Sequence, residues 1–246
     1  MSIQSQADFN GMTRVGATVA TILSEMCDRV RPGMTTAELD QIGARAMKRL
    51  GARSAPRVMY GFPGYTCISV NQEIVHGIPR GRRLKPGDVV KIDVTAEQDG
   101  YVADAARTII LEPSSSDVAR LHRCAVMALD EALLAAHAGA RVSAIGRAVE
   151  QRARRDGFAV IRELCGHGVG RAIHEEPSVP NYDSPLARTI LTDGLVIAVE
   201  PMLAMRPTSA VEMPDGWTIQ TADGSLAVHE EHTIIISGER PIVVTA

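Results

Sequence analysis

The sequence lacks most features of nucleic-acid-binding and membrane proteins. Aromatic residues make up only 3% of its 246 residues, and 26 basic side chains stand against 29 acidic ones, for a net charge of -3. Neither base-stacking surfaces nor a field that attracts polyanions is expected, so nucleic acid and anionic membranes are not predicted partners. No stretch approaches the roughly 18 apolar residues of a membrane span, and no basic segment leads into an apolar one at the start.

Cysteine is scarce as well. The four cysteines, at positions 27, 67, 124 and 165, include no Cys-x-x-Cys pair. A chain of this length with 45% hydrophobic residues can build its core without disulfides. We therefore expect a soluble cytoplasmic protein with reduced thiols.

The spacing of apolar residues predicts four helices in two pairs. Pro32-Gly33 ends the first, over 13–31, and a capping box at Thr35 opens the second, which Gly51 closes. The second pair runs from Ser116 to Gly139 and from near Ser143 to Gly157. An offset of 106 places Gly33 on Gly139, Leu39 on Ile145 and Gly51 on Gly157, which indicates an internal duplication.

The strands repeat nearly in step with the helices. Residues 84–93 resemble residues 191–200 at an offset of 107, which places Asp93 on Glu200. The pattern predicts an α+β fold of two pseudo-twofold related halves, with curved antiparallel sheets covered by two helix pairs. We expect an N-terminal tail at 1–10 and one domain over 11–246.

Four carboxylates lie on or beside apolar strands, where an unpaired charge is unfavourable. Asp93 and Asp104 flank a turn; with a loop at 97–100 they face each other across a hairpin, about 5 Å apart at their α-carbons. Glu200 ends one apolar strand, and Glu231 precedes another. A divalent cation is the simplest compensation for the like charges of Asp93 and Asp104. The alternative for this pair is a surface carboxylate near the turn and a buried carboxylate hydrogen-bonded to Thr95.

A histidine in a glycine-rich segment completes this set. His167 lies in Gly166–Arg171, which lacks the Lys-Ser/Thr ending of a phosphate-binding loop. One imidazole and four carboxylates can hold two metal ions, and these donors favour Mn(II), Fe(II) or Co(II), with Zn(II) also possible. Two ions about 3.5 to 4 Å apart activate water and polarise a carbonyl, so hydrolysis is the predicted reaction class.

Six segments together resemble the type I methionine aminopeptidases of the pita-bread fold, over roughly residues 10–242. They are VNQEIVHGIP at 70–79, KIDVT around Asp93, YVADAARTI around Asp104, GHGVGRAIHEEP at 166–177, VEPM around Glu200 and EEHT around Glu231. The resemblance implies removal of the initiator methionine from nascent polypeptides whose second residue is small. It also implies two divalent ions (Co, Mn, Fe or Zn). We expect a monomer.

The resemblance also implies roles for individual residues. The metal ligands are Asp93, Asp104, His167, Glu200 and Glu231, of which Asp104 and Glu231 bridge the ions and Glu200 moves the proton of the attacking water. His174 lies beside the developing oxyanion and His76 near the amide nitrogen, so both also contact substrate. The methionine pocket is formed by Phe62, Cys67 and Trp217.

Several positions depart from the family pattern. Ile173 and Met59 replace aromatic residues expected in the pocket, alanines 103, 105 and 106 surround Asp104, and His229-Glu230 replaces a Gln-aromatic pair. These changes leave open a paralogue that acts on X-Pro or another small N-terminal residue. Two further alternatives are a non-catalytic peptide-binding module and a mononuclear iron oxygenase that uses His167, His174 and Asp93.

Overall fold

The computed structural model describes all 246 residues. Its helices are α1 (Gln6–Arg29), α2 (Thr36–Leu50), α3 (Ala55–Tyr60), α4 (Ser116–Ala135) and α5 (Val142–Asp156). Its strands are β1 (Arg53–Ser54), β2 (Cys67–Val70), β3 (Glu73–Val75), β4 (Val89–Gln98), β5 (Tyr101–Ile110), β6 (Ala159–Val160), β7 (Cys165–Gly168), β8 (Glu175–Pro180), β9 (Val196–Val199), β10 (Met202–Ala204), β11 (Ala210–Glu212), β12 (Ile219–Thr221), β13 (Ala227–His229), β14 (His232–Ile235) and β15 (Ile242–Val243). None of the helices combines the length and hydrophobicity needed to span a bilayer.

The four predicted helices are present, and their ends follow local capping chemistry. The capping box at Thr35 forms, and Gly51 and Gly157 end α2 and α5 in the left-handed conformation. The first helix starts earlier than predicted, at Gln6, because the side chain of Ser5 accepts a hydrogen bond from the backbone N–H of Asp8. Residues 6–10 therefore belong to α1 and not to a tail. The short helix α3 was not predicted.

Matching hydrogen bonds in the two halves reflect the internal duplication. The N–H of Gly33 donates to the carbonyl of Leu84 at 2.8 Å, and the N–H of Gly139 donates to the carbonyl of Leu191 at 2.8 Å. Gly33 and Gly139 both have positive φ, 88° and 84°. These pairs are related by the same offsets of 106 and 107 that the sequence contains, so the repeat survives as repeated local structure.

Each half is built around an antiparallel sheet and a helix pair, and two further three-stranded sheets have the orders β13-β10-β6 and β11-β12-β3. The first sheet has the order β1-β4-β2, with β5 on β4, and shares one apolar core with α1 and α2. The second has the order β15-β14-β9-β7-β8 and shares another with α4 and α5. The N–H of Glu231 donates to the carbonyl of Ala106 at 3.0 Å, which joins the two halves. The predicted α+β fold is confirmed.

The predicted register of the β4–β5 hairpin is wrong by two residues. Asp93 lies opposite Ala106, and Thr95 lies opposite Asp104. The connection is a two-residue turn, with φ of 54° at Asp99 and 80° at Gly100, rather than a four-residue loop. Because the shift is an even number of residues, Asp93 and Asp104 still point to the same face and lie diagonally across the hairpin.

A buried lysine on β4 gives a prediction for stability against pH. Lys91 is 1% exposed, and its Nζ donates to the carbonyl of Asn71 at 2.8 Å. Burial lowers the pKa of Lys91 from an ordinary value of 10.5 to about 7. Between these values the unfolded chain binds one proton more than the folded chain. This residue therefore makes the free energy of unfolding rise with pH, by about 1.4 kcal/mol per unit.

Lys91→Met is expected to remove that rise. The measurement is urea unfolding of metal-free protein at pH 7.5, 8.5 and 9.5, in wild type and variant, because all other groups titrate alike in both. Lys48→Met, at an exposed position of α2, is the matched control and should keep the wild-type slope. Parallel slopes for wild type and Lys91→Met would show that Lys91 stays charged when folded.

Candidate metal centre and active site

Five strands or strand ends of the two sheets supply the predicted metal ligands. Asp93 lies on β4, Asp104 on β5 and His167 on β7, while Glu200 directly follows β9 and Glu231 directly precedes β14. Since β9 and β14 are paired, with His232 opposite Val199, the two glutamates meet at the same end of the pair. The fold therefore brings residues from both halves to one central place.

The donor atoms of four of these side chains lie close together. One oxygen each of Asp104 and Glu231 and one nitrogen of His167 all lie within 4.8 Å of one another. Nε2 of His167 is 3.4 Å from Oε1 of Glu200. Nδ1 of His167 lies 3.0 Å from the carbonyl of Gly168, a hydrogen bond that leaves Nε2 free to face the carboxylates.

Asp93 lines the same cavity as the other four residues. Its Oδ1 is buried without a hydrogen-bond partner, whereas Oδ1 of Asp104 accepts a hydrogen bond from the hydroxyl of Thr95 at 2.9 Å. A buried carboxylate oxygen without a hydrogen-bond partner is unfavourable, and a bound cation would give this oxygen a partner.

The carboxylates are crowded together in the cavity. Burial, and then the charge of Asp104, raise the pKa of Asp93 well above its ordinary value, and burial likewise raises the pKa of Glu231. Burial also raises the pKa of Glu200, against the opposing effect of His167. The cavity lining includes no lysine or arginine. Divalent cations fit this site, because they match its oxygen-rich donors and offset the repulsion among them.

The two non-ligand histidines predicted for catalysis line the same cavity of about 380 Å³. The ring centroids of His174 and His167 are 4.4 Å apart, and the hydroxyl of Tyr60 lies 3.0 Å from Nδ1 of His174. Burial, reinforced by His167, lowers the pKa of His174 to about 4. Burial also lowers the pKa of His76. Both imidazoles are therefore neutral near pH 7, with one N–H donor each.

The backbone of His76 adopts a conformation that L-residues rarely take. Its φ is 57°, in the left-handed region. The following residue holds it there: the N–H of Gly77 donates to the hydroxyl of Ser69 at 3.0 Å, and the carbonyl of Gly77 accepts from the N–H of Ile68 at 2.9 Å. Such conformations are concentrated at functional sites, where the surrounding structure fixes a side chain in place.

An apolar pocket opens on the metal-ligand cluster. Phe62 is 2% exposed and meets Trp217 edge to face, with ring centroids 5.1 Å apart, and Cys67 lines the same cavity. Ile173 lines it too, as predicted. Met59 does not: its side chain is 38% exposed, and its neighbour Tyr60 lines the cavity instead. The expectation that Met59 makes the pocket less aromatic is wrong, because α3 turns Tyr60 towards the cavity.

His229 lines the cavity as well, although no site role was predicted for it. It is 1% exposed, and burial lowers its pKa to about 4. Its Nε2 is 3.5 Å from Oε2 of Glu200 and 3.8 Å from Oε2 of Glu231. Glu230 turns the other way, towards His122 and the N–H of Thr108. One feature of the sequence could have indicated the place of His229 in the site. His229 precedes Glu231 by two residues, and in an extended segment residues two apart lie on the same face.

Comparison with known proteins agrees with this geometry. The sequence model of metallopeptidase family M24 matches residues 10–238. Methionine aminopeptidase 2 of Bacillus subtilis is 41% identical over 247 residues, covering 100% of this chain and 99% of that protein. The crystal structure of a methionine aminopeptidase from Thermotoga maritima has 34% identity and a TM-score of 0.96, with coverage of 100% and 99%. A prolidase from Pyrococcus furiosus, at 21% identity and a TM-score of 0.77, shares the fold; this chain covers 65% of its length.

Proposed function

This chain belongs to metallopeptidase family M24, and we propose that it acts as a methionine aminopeptidase that releases the initiator methionine from nascent polypeptides. The observation that carries this proposal is a single cavity that contains both a carboxylate-rich ligand cluster and an apolar pocket with Phe62 and Trp217. The match to methionine aminopeptidases over the full length of the chain supports the same function. Prolidases share only the fold, and their chains are longer.

We propose that the predicted ligands hold two divalent ions: Asp93, Asp104, His167, Glu200 and Glu231. When bound, such ions act as Lewis acids and make water a nucleophile at neutral pH. Asp104 and Glu231, which come from opposite halves of the fold, would hold the ions together with His167, because their oxygens converge with its ring nitrogen. Glu200 lies at the edge of this cluster, next to His167, where its carboxylate can take the proton of the attacking water and pass it to the departing amine.

The two neutral histidines are placed to serve the two ends of the scissile amide. When the hydroxyl of Tyr60 donates a hydrogen bond to Nδ1 of His174, the ring proton of His174 lies on Nε2. The Nε2–H group can then donate a hydrogen bond to the developing oxyanion. His76, fixed by its backbone conformation, is assigned to the amide nitrogen of the substrate. In these roles, His174 and His76 contact the substrate and do not bind metal.

The apolar pocket fits a methionine side chain. Phe62, Cys67 and Trp217 offer two aromatic rings and a thiol, and a thioether makes favourable contacts with ring edges. The acidic ligands beside the pocket attract the free amine of the substrate, so that cleavage occurs after the first residue. We expect a cytoplasmic monomer that uses Co(II), Mn(II), Fe(II) or Zn(II).

A peptide panel tests the proposal. Metal-stripped protein is reloaded with Mn(II), Co(II) or Fe(II) and given Met-Ala-Ser, Leu-Ala-Ser and Ala-Pro-Ala. We expect release of methionine alone, dependent on the added metal, because the pocket is apolar and the ligand cluster needs cations. Preferential cleavage of Ala-Pro-Ala would replace the proposal with an X-Pro peptidase, and two bound metals without any cleavage would contradict it.

A further inference from the structure

The backbone of His229 is held so that its side chain enters the metal-ligand cluster. His229 ends β13, where it pairs with Met202. Thr108 holds it from the neighbouring strand: its hydroxyl accepts from the N–H of His229 at 3.0 Å and donates to the carbonyl of His229 at 2.7 Å. The imidazole is 1% exposed and lines the cavity that holds the predicted ligands.

Neither ring nitrogen of His229 has a hydrogen-bond partner. The closest carboxylate oxygens to Nε2 are Oε2 of Glu200 at 3.5 Å and Oε2 of Glu231 at 3.8 Å, both beyond the usual range of an N–H···O bond. A buried polar atom left in this state is unfavourable by about 1 to 3 kcal/mol. Two donors on one ion, with bonds of about 2.1 Å each, lie about 3 to 4 Å apart. The distances from Nε2 of His229 to the two carboxylate oxygens thus fit coordination of a shared metal ion better than hydrogen bonding.

We propose that Nε2 of His229 is a sixth protein ligand of the metal centre. Glu200 then has an imidazole on each side, since Nε2 of His167 lies 3.4 Å from its Oε1 and Nε2 of His229 lies 3.5 Å from its Oε2. This inference rests on the proposed function, because it requires that the other five residues bind metal. It adds one ligand to that metal centre, so that the protein donors become two imidazoles and four carboxylates.

A second imidazole changes which ions the centre prefers. Nitrogen donors suit Co(II) and Zn(II), whereas a centre of carboxylates is better matched to Mn(II). The chain should therefore discriminate more strongly between Co(II) and Mn(II) than a variant in which His229 is replaced by an amide. His229→Gln retains a polar side chain at the position and removes the imidazole.

The first test is metal affinity, measured by calorimetric titration of metal-free protein with Co(II) and with Mn(II). We expect His229→Gln to bind Co(II) at least about tenfold more weakly at one of its two sites, with a smaller change for Mn(II). His174→Gln is the matched control, because it removes another imidazole from the same cavity without removing a proposed ligand. Unchanged Co(II) affinity in His229→Gln would overturn the proposal.

The second test needs no variant and decides the question even if His229→Gln fails to fold. In the ¹H NMR spectrum of Co(II)-loaded wild-type protein, each ligating imidazole gives one strongly shifted exchangeable N–H signal. Two signals are expected: from His167, whose Nδ1 is bonded to the carbonyl of Gly168, and from the buried Nδ1 of His229. One signal would overturn the role of His229 and leave the five-ligand centre intact. With no such signal, the proposed metal centre would fail along with it.

Discussion

Asp104→Asn is expected to abolish bound metal and aminopeptidase activity together. The Asp104 carboxylate converges with His167 and Glu231, and its other contact is a hydrogen bond from the hydroxyl of Thr95. An amide supplies only one neutral oxygen and cannot bridge two cations. Losing several kcal/mol of metal-based transition-state stabilisation lowers kcat/KM on Met-Ala-Ser by at least about a thousandfold. Metal content after dialysis and kcat/KM are the two measurements.

Asp99→Asn is the matched control, because it makes the same change of charge in the same hairpin. Asp99 lies in the turn with φ of 54°, a conformation that asparagine tolerates, and its carboxylate is bonded only to Arg14 at the surface. This variant should keep wild-type metal content and kcat/KM. If Asp104→Asn kept both as well, the assignment of Asp104 as a ligand would be wrong.

His174→Ala is expected to retain metal and lose most turnover. The imidazole touches Tyr60 and His167 but is not among the residues whose donor atoms converge. Removing one donor to a developing oxyanion typically lowers kcat by about a hundred- to a thousandfold. Tyr60→Phe, which removes only the partner of Nδ1, should lower kcat by no more than about tenfold, since it loses one half-exposed hydrogen bond.

The control for His174→Ala is His137→Ala, at an exposed position after α4. It should leave both metal content and kcat unchanged. Two results for His174→Ala would contradict its assigned role. Full turnover would mean that the imidazole does not serve the reaction, and loss of metal would support the alternative centre in which His167, His174 and Asp93 hold a single ion.

The sequence predicted most accurately what depends on local chemistry. Capping at Thr35 and left-handed glycines at 51 and 157 act within a few residues, so the helix ends that they set were predicted closely. The start of α1 was missed because Ser5 caps a turn that the apolar pattern does not include. The repeat, seen as Gly33 on Gly139, appears in the structure as equivalent hydrogen bonds.

Features that depend on tertiary register were predicted less well. The turn at Asp99-Gly100 shortens the predicted loop and moves Asp104 opposite Thr95, which the strand pattern alone could not decide. Helix α3, which was not predicted, places Tyr60 rather than Met59 at the cavity. The role of His229 depends on where Glu200 lies in space, 29 positions earlier in the chain, and only the fold brings the two together.

The most direct test of the dimetal centre is anomalous diffraction from crystals of the protein loaded with Co(II) or Mn(II). We expect two ions in the cavity, contacted by the five predicted ligands Asp93, Asp104, His167, Glu200 and Glu231 together with the proposed sixth ligand, His229. Asp104 and Glu231 should each touch both ions. A single ion held by His167, His174 and Asp93, or ions bound only outside the cavity, would contradict the assignment of the site and the hydrolytic mechanism built on it.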